Sequence, residues 1–225
     1  LLIGAVVKEG DFSYNTISEV SPDSGLNPER YDKQVLVPFG EYVPYPFRWI
    51  PGLSKLVGPV GNFSSGNHPH VFQIKAKDLE RPVGVGPLIC YEDIFPFLSR
   101  KIVSQEVDFL FVCTNDAWFG REGCAEQHAA HSVLRALELG RPFLRCGNAG
   151  WSGWIDARGI VREVLENEKG SIYFEGARVM EISLPHPTDT HYSKYGDYFP
   201  VACLSLFVLS AVIKRKRIDL SQYRA

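Results

Sequence analysis

Cys90 is the residue of this chain whose type and setting first suggest covalent chemistry. It ends the apolar run Val83–Ile89 and is followed at once by Tyr91 and Glu92. A cysteine at the carboxyl end of a strand can present a thiolate to a cleft, whereas a cysteine buried within a strand is an inert apolar side chain. The spacing alone allows both interpretations, and the second is the more common one for cysteines in general.

Lys33 and Glu41 are charged residues that would serve such a nucleophile. Both lie in the segment KQVLVPFGEYVP, residues 33–44. A lysine near Cys90 would favour the thiolate and later stabilise an oxyanion, although a lysine just before an apolar strand is usually a solvated end residue. Glu41 lies among apolar and aromatic residues, where a buried carboxylate needs a partner; an exposed loop carboxylate is the alternative.

Two other groups of side chains have a pattern compatible with a site. His128 and His131 are three residues apart on a predicted helix, a spacing compatible with metal binding. No third ligand accompanies them, so a polar helix face explains them better, and the sequence predicts no metal and no cofactor. Asn115, Trp118 and Phe119 follow a predicted strand, where they either line a cleft or simply pack.

The elements that would position these residues alternate between strands and helices. A strand–helix–strand order favours an α/β layered fold. Helices are predicted over about 96–105 and 125–139, and a turn over 156–159. Residues 21–70 are rich in proline and glycine and predict a long, ordered loop region of the kind that often carries function. The strand-like runs are residues 1–7, 15–20, 71–74, 83–90, 109–114, 143–146, 151–156 and 178–184.

The helix predicted over 125–139 has two distinct faces. One is apolar and the other is polar, which is typical of a helix that packs one face on a core. The apolar set is Ala130, Val133, Leu134 and Leu137, and the polar set is His128, His131, Arg135 and Glu138.

Composition limits the class of protein. The chain has 225 residues, of which 45% are hydrophobic, and this is enough for one or two domains with a sizeable core. The net charge of −2 lacks the basic excess of a nucleic-acid-binding protein. The five cysteines are widely spaced and include no Cys-x-x-Cys pair, which argues against a disulfide framework and against a cysteine-based zinc site.

The carboxyl-terminal region contains sixteen uncharged residues, 198–213. As a helix, these residues would extend about 24 Å. A bilayer usually requires ~20 residues, or about 30 Å, so the segment is somewhat short for a span. The basic residues of 214–217 follow directly, as expected at a cytoplasmic membrane boundary. We therefore predict a transmembrane helix at 198–213 and a basic cytoplasmic tail at 214–225. The alternative is a core helix followed by a solvated basic tail.

Four motifs in order resemble the apolipoprotein N-acyltransferase family of the nitrilase superfamily. They are YDKQVLVPFGEYVP, LICYEDIFP, TNDAWFG and EQHAAHSVLRALELGRPFLRCGNAG. The resemblance covers nearly the whole chain and implies an α-β-β-α sandwich over residues 1–190 with a Glu-Lys-Cys triad. Cys90 resembles the nucleophile, Lys33 the triad lysine and Glu41 an additional essential carboxylate. Tyr91 and Glu92 resemble the essential pair after the nucleophile, and the TNDAWFG motif residues that shape the site.

The resemblance also implies an activity and a location. The expected enzyme moves a fatty acyl chain from a phospholipid, through a Cys90 thioester, to the amino-terminal amine of a diacylglyceryl-modified lipoprotein. It would act on the periplasmic side of a bacterial inner membrane, without a cofactor. The family's triad glutamate lies upstream of the segment that matches Leu1. We therefore expect the chain to begin inside a domain and to be catalytically incomplete by itself.

Two alternatives remain open at this point. One is a soluble nitrilase-type amidase or carbamoylase that acts on small carbon–nitrogen substrates with the same triad. The other is a non-catalytic, membrane-tethered binding domain. An amidase would have no use for an apolar segment at 198–213.

Overall fold

Nine strands form two β-sheets at the centre of the fold. The structure is a computed structural model that describes residues 1–50, 62–75, 79–121, 123–184 and 188–222. The smaller sheet is antiparallel and contains, in order, β1 (Leu2–Glu9), β2 (Phe12–Ser21) and β3 (Gly25–Asp32). The larger sheet contains, in order, β4 (Phe72–Ile74), β5 (Val83–Ile89), β6 (Phe109–Asn115), β7 (Phe143–Asn148), β8 (Gly153–Ile155) and β9 (Val161–Val164).

The three central strands of the larger sheet are parallel, and this brings their carboxyl ends to one edge. β5 pairs with β6 and β6 with β7 in parallel register, whereas the outer pairs are antiparallel. Helix α1 (Pro96–Val103) joins β5 to β6, and α2 (Cys124–Leu139) joins β6 to β7. Residues just after β5, β6 and β7 therefore lie side by side, which is where an α/β sheet usually forms its site.

Two apolar clusters define the layers. Between the sheets, Ile17 and Tyr31 of the smaller sheet pack with Phe72, Val85 and Ile89 of the larger one. On the opposite face of the larger sheet, a second cluster packs α1 and α2 against the strands, with Leu88, Leu98, Ile102, Leu110, Ala136 and Leu139 among its buried residues. The described residues thus form sheet, sheet and helix layers, which confirms the α/β layered fold.

Helix α2 buries the opposite face from the one that its apolar residues indicate. Ser132 and Arg135 are buried, whereas Leu134 and Leu137 are each 51% exposed. The reason is tertiary: α2 packs on the turn that follows β5, and that turn presents charged and polar groups that need partners. The prediction that the polar residues form a solvated face is therefore wrong for His128 and Arg135.

Other predicted elements differ in detail. Residues 178–184 are not a strand, and Val179 is 97% exposed. β3 lies inside the region predicted to be a loop, of which residues 51–61 are outside the described residues. The strand predicted over residues 1–7 is confirmed as β1, which is an edge strand of its sheet with Val6 exposed. The predicted turn at 156–159 is confirmed, because it joins the hairpin pair β8 and β9.

Two helices end the chain. The short α3 (His191–Tyr195) is fixed to α1, because the Arg100 guanidinium donates to the carbonyls of Tyr192 at 3.1 Å, Ser193 at 2.9 Å and Lys194 at 2.8 Å. Helix α4 (Tyr198–Gln222) has 25 residues, so it is about 38 Å long.

Helix α4 has the length and composition of a membrane span. Its 18-residue stretch Tyr198–Arg215 has a mean hydropathy of 1.5, and none of this stretch is buried within the described residues. Within the described residues, α4 is therefore not a core helix. The helix also continues beyond Ile213 through the basic residues that were predicted to form a tail, whose last three positions, 223–225, lie outside the described residues.

Candidate active site

Cys90 lies on a tight turn at the edge where the parallel strands end. It is the first residue of a 3-10 turn, Cys90–Ile94, directly after β5. Its φ of +52° is in the left-handed region that favours glycine, and such a conformation costs about 1–3 kcal/mol unless the surroundings enforce it. The side chain is only partly buried. This is the arrangement predicted for a nucleophile, and it is unlike that of a cysteine within a strand.

Glu92 ties the Cys90 turn to the segment that carries Lys33. Its carboxylate is fully buried and accepts four hydrogen bonds. Two come from the backbone N–H groups of Gln34 (2.7 Å) and Val35 (3.0 Å), one from Ile89 N–H (2.8 Å) and one from the Tyr31 hydroxyl (2.9 Å). Burial raises the pKa of Glu92, while these hydrogen bonds oppose the rise. Glu92 is thus a structural bridge, and Tyr31 is a partner that the sequence did not indicate.

Lys33 and Glu41 form a buried ion pair. The Lys33 side chain is 1% exposed, and its Nζ donates to Glu41 Oε1 at 2.9 Å and Oε2 at 2.8 Å. Glu41 also accepts from Asn15 Nδ2 at 3.2 Å and from Val37 N–H at 2.8 Å. The solvated alternatives for both residues are therefore wrong. Each of these two enclosed groups satisfies the hydrogen-bonding requirement of the other.

Tyr91 lies at the junction between the Cys90 turn and the Glu41 loop. Burial raises the pKa of the Tyr91 hydroxyl, and the nearby Tyr42 and Glu41 act in the same direction. Its ring packs edge-on against Phe95, with 4.9 Å between the ring centroids. Cys90, Tyr91 and the Lys33–Glu41 pair are thus brought into one region, as the sequence predicted.

The TNDAWFG motif forms a neighbouring wall at the end of β6. Asn115 Oδ1 accepts from Ala117 N–H at 3.3 Å and from Asn148 Nδ2 at 2.9 Å, which links the ends of β6 and β7. Trp118 and Phe119 follow in a 3-10 turn and are 59% and 57% exposed. Within the described residues, neither ring packs into the core, and both are exposed just after Asn115 at the end of β6.

A buried charge network lies beneath Cys90, and the sequence analysis missed it. It comprises Asp93, Asp116, His128 and Arg145, with the hydroxyls of Thr114 and Ser132. Asp93 accepts from Arg145 and, at 2.6 Å, from Ser132. Burial would raise the pKa of Asp93, but Arg145, His128 and Ser132 outweigh it and hold that pKa below its usual range.

One sequence signal pointed to this network. Arg145 lies within the apolar strand β7, and an arginine there requires a buried carboxylate. His128, in contrast, was considered only as a metal ligand or as part of a polar face. In the parts of the chain that the structure describes, no group of three or more His, Cys, Asp or Glu side chains has an arrangement that would hold a metal ion.

Comparison with known proteins identifies the family. The model of the carbon-nitrogen hydrolase family matches residues 1–181. The chain belongs to the carbon-nitrogen hydrolase family. Curated relatives include apolipoprotein N-acyltransferases from Geobacter metallireducens, 38% identical over 84% of this chain and 34% of the relative, and from Haemophilus influenzae, 33% identical over 96% and 41%. The resemblance found in the sequence is thus confirmed.

Two facts limit what the carbon-nitrogen hydrolase relatives establish. The chain spans about a third to two fifths of the length of these acyltransferases. Among solved structures, the NitN amidase from Nesterenkonia sp. AN1 has a TM-score of 0.53 and 18% identity, over 73% of this chain and 58% of that one. At this identity the likeness concerns the fold alone, and it confirms the nitrilase-type sandwich.

Proposed function

We propose that this carbon-nitrogen hydrolase chain belongs to an apolipoprotein N-acyltransferase that works through a thioester on Cys90. The observation that carries the proposal is the Glu92 bridge, which joins the strained Cys90 turn to the segment bearing the buried Lys33–Glu41 pair. A half-buried cysteine whose turn is tied to the segment of a paired lysine suits nucleophilic attack on a carbonyl. The similarity to acyltransferases, rather than fold likeness to an amidase, indicates the acyl donor and acceptor.

The first half-reaction would transfer the acyl group to the enzyme. The Cys90 thiolate attacks the ester carbonyl of a phospholipid, and the carbon–sulfur bond forms as the ester carbon–oxygen bond breaks. The lysophospholipid leaves as an alcohol after it takes the proton that Cys90 gave up. Lys33, together with backbone N–H groups near Cys90, would stabilise the oxyanion that develops on the carbonyl oxygen.

The second half-reaction would return the cysteine. The α-amine of a diacylglyceryl-modified amino-terminal cysteine attacks the thioester carbonyl, an amide bond forms and the thiolate of Cys90 leaves. The amine's proton passes to the general base and back to sulfur. A thioester suits this relay, because sulfur is both a ready nucleophile and a ready leaving group for an amine.

A general base is required for these proton transfers, and neither Glu41 nor Glu92 is free to serve. Glu41 is held by Lys33, Asn15 and Val37, and Glu92 by its four donors. We therefore assign the base to a glutamate outside these 225 residues, as the family resemblance implies. Glu41 then acts as the hydrogen-bond partner that holds the Lys33 side chain in place.

Membrane attachment fits lipid substrates. We propose that α4 crosses the bacterial inner membrane with its basic end in the cytoplasm, so that the Cys90 domain lies on the periplasmic side. Arg100 of α1 fixes α3, the element just before α4, to the helix that follows the Cys90 turn. The site would thus be held at a set distance from the bilayer surface.

Acylation of Cys90 tests this proposal directly. The intact protein in detergent micelles is mixed with phospholipid, and peptide mass mapping should find a hydroxylamine-labile acyl adduct on Cys90 that Cys90→Ala lacks. Cys146→Ala is the matched control, because Cys146 is an exposed cysteine in register beside the same strand ends, and it should still form the adduct. An adduct elsewhere, or no adduct with hydrolysis of small amides, would overturn the proposal and favour an amidase. If the protein shows neither acylation of Cys90 nor hydrolysis of amides, a binding domain is favoured.

A further inference from the structure

His128 has hydrogen-bond acceptors at both of its ring nitrogens. Nδ1 lies 3.0 Å from Asp116 Oδ1. Nε2 lies 2.9 Å from Asp93 Oδ1 and 3.2 Å from the carbonyl oxygen of Cys90. The ring thus contacts the backbone of Cys90 and both carboxylates of the buried charge network.

These contacts require both ring nitrogens to donate. A carbonyl oxygen only accepts, and each carboxylate already accepts from another group: Asp116 from the Thr114 hydroxyl at 2.9 Å, and Asp93 from Ser132 and Arg145. A neutral imidazole has one donor nitrogen and one lone pair, so either tautomer would place a lone pair against an acceptor. The geometry therefore indicates an imidazolium.

The charges around the ring are balanced. His128 lies on α2 and is faced by Asp93 from the turn after β5, by Asp116 from the turn after β6 and by Arg145 from β7. Two cations and two carboxylates make the network neutral as a whole. Removing the proton from His128 would leave two buried carboxylates with one cation, an arrangement that low-dielectric surroundings disfavour.

We propose that His128, as an imidazolium clamped between Asp93 and Asp116, is a positioning residue that holds the Cys90 turn in its reactive conformation. The inference rests on the proposed function only in taking Cys90 as the nucleophile. The turn is then secured on two sides: Glu92 binds the N–H of Ile89, and His128 binds the carbonyl of Cys90. Together they enforce a φ that cysteine would otherwise avoid.

The clamp, by which we mean protonated His128 bound to Asp93 and Asp116, exists only over a defined pH range. Burial would lower the pKa of His128, but hydrogen bonds to Asp116 and Asp93 outweigh it and raise that pKa from 6.5 to about 9. Because the pKa is higher in the folded protein, the clamp's contribution to stability is complete below about 6.5 and is lost as the pH rises to about 9. Cys90 should therefore lose its position on the alkaline side.

The test measures acyl-enzyme formation on the intact protein in micelles between pH 6 and 10. We expect His128→Gln to lower kcat for this half-reaction about 100-fold, since a displaced nucleophile has this effect, and to leave KM for phospholipid unchanged. Asp116→Asn keeps the shape of the network but removes one charge beside the ring. It should move the alkaline limb of the pH profile down by about 1 pH unit or more.

His131→Gln is the matched control, because His131 lies one turn along α2 and makes no hydrogen bond to the network among the described residues. Its rates should equal those of the unsubstituted protein. An unmoved alkaline limb in Asp116→Asn, or a His128→Gln kcat within about twofold of the control, would overturn the inference. Asp116→Asn keeps the test decisive if His128→Gln does not fold.

Alkylation of Cys90 by iodoacetamide separates this inference from the proposed function. The reagent requires no lipid, so its rate reports the position and ionisation of Cys90 alone. If the protein alkylates at Cys90 but forms no thioester, the acyltransferase proposal fails. The order of alkylation rates among the His128, Asp116 and His131 variants then still decides whether His128 positions Cys90.

Discussion

Two regions of this molecule have the opposite polarity from what their location would suggest. Beneath Cys90, the interior contains Asp93, Asp116 and Arg145, all buried. By contrast, the aromatic segment (residues 39–50, with exposed Phe39, Tyr45, Phe47, Trp49 and Ile50) and helix α4 present apolar side chains outward. The first region is suited to the proposed chemistry of Cys90, and the second to the proposed lipid environment.

The two regions also differ in how their side chains are stabilised. Each buried charge has a partner of opposite sign, without which burial would be prohibitive. The exposed apolar side chains have no such requirement within the chain, and contiguous exposure of this kind is typical of membrane or protein contact surfaces. Substitutions in the first region should therefore affect folding, and those in the second should affect lipid access.

The largest effect is expected from Arg145→Met. It removes the cation that faces Asp93 in the interior, and loss of one partner of a buried pair costs about 3–5 kcal/mol. The free energy of unfolding, measured by urea titration and circular dichroism in micelles, should fall by that amount. Arg162→Met is the control, because Arg162 pairs with Asp156 at the surface at 2.5 Å and should cost about 1 kcal/mol or less. Equal losses would contradict the distinction between the regions.

An intermediate effect, confined to lipid, is expected from Trp49→Ser. Trp49 is 70% exposed. Burying an apolar side chain of this size contributes about 1.5–3 kcal/mol, so its loss should raise KM for phospholipid in vesicles about tenfold, with kcat and the free energy of unfolding unchanged. Phe12→Ser, at the exposed turn between β1 and β2, should leave KM unaltered. A similar rise in both variants would show that the aromatic segment has no special contact with lipid.

The smallest effect is expected from Leu134→Gln on the outer face of α2. Since half of this side chain is already in water, the free energy of unfolding should change by about 0.5 kcal/mol. Leu139→Ala, on the buried face of the same helix, should cost about 2–5 kcal/mol. If the two substitutions instead lower the free energy of unfolding by similar amounts in thermal and urea unfolding, the helix packs by its apolar stripe and the orientation described above is wrong.

Local patterns predicted the elements that bear the site better than the contacts among them. β5, β6, β7 and both connecting helices follow from apolar runs and helical periodicity, and the motifs placed Cys90, Lys33 and Glu41. β3 was not predicted, because Pro28 and its charged neighbours do not resemble a strand. The segment forms a strand through its pairing with β2. The orientation of α2 depends on Asp93 and Arg145, which lie outside the helix, and no helical pattern contains that information.

The predicted strand at 178–184 failed for a related reason. Its residues alternate as a strand would, but a strand exists only where a neighbour satisfies its backbone groups, and the described residues offer this segment no ladder. The site's detailed geometry was equally beyond the sequence. Glu92 accepts hydrogen bonds from four donors, three in residues 31–35 and one at Ile89. These donors come together only because the two sheets pack against each other.

The left-handed backbone conformation of Cys90 serves the proposed chemistry but lowers the stability of the fold. Glycine adopts this φ without penalty, whereas cysteine does so only under restraint. A lineage that abandoned acyl transfer but retained the fold would gain stability by exchanging this cysteine for glycine. Under the proposed mechanism, the cysteine at position 90 is kept for its reactivity and at a cost in stability. We therefore expect glycine at this position in related proteins that retain the fold without the acyl-transfer chemistry.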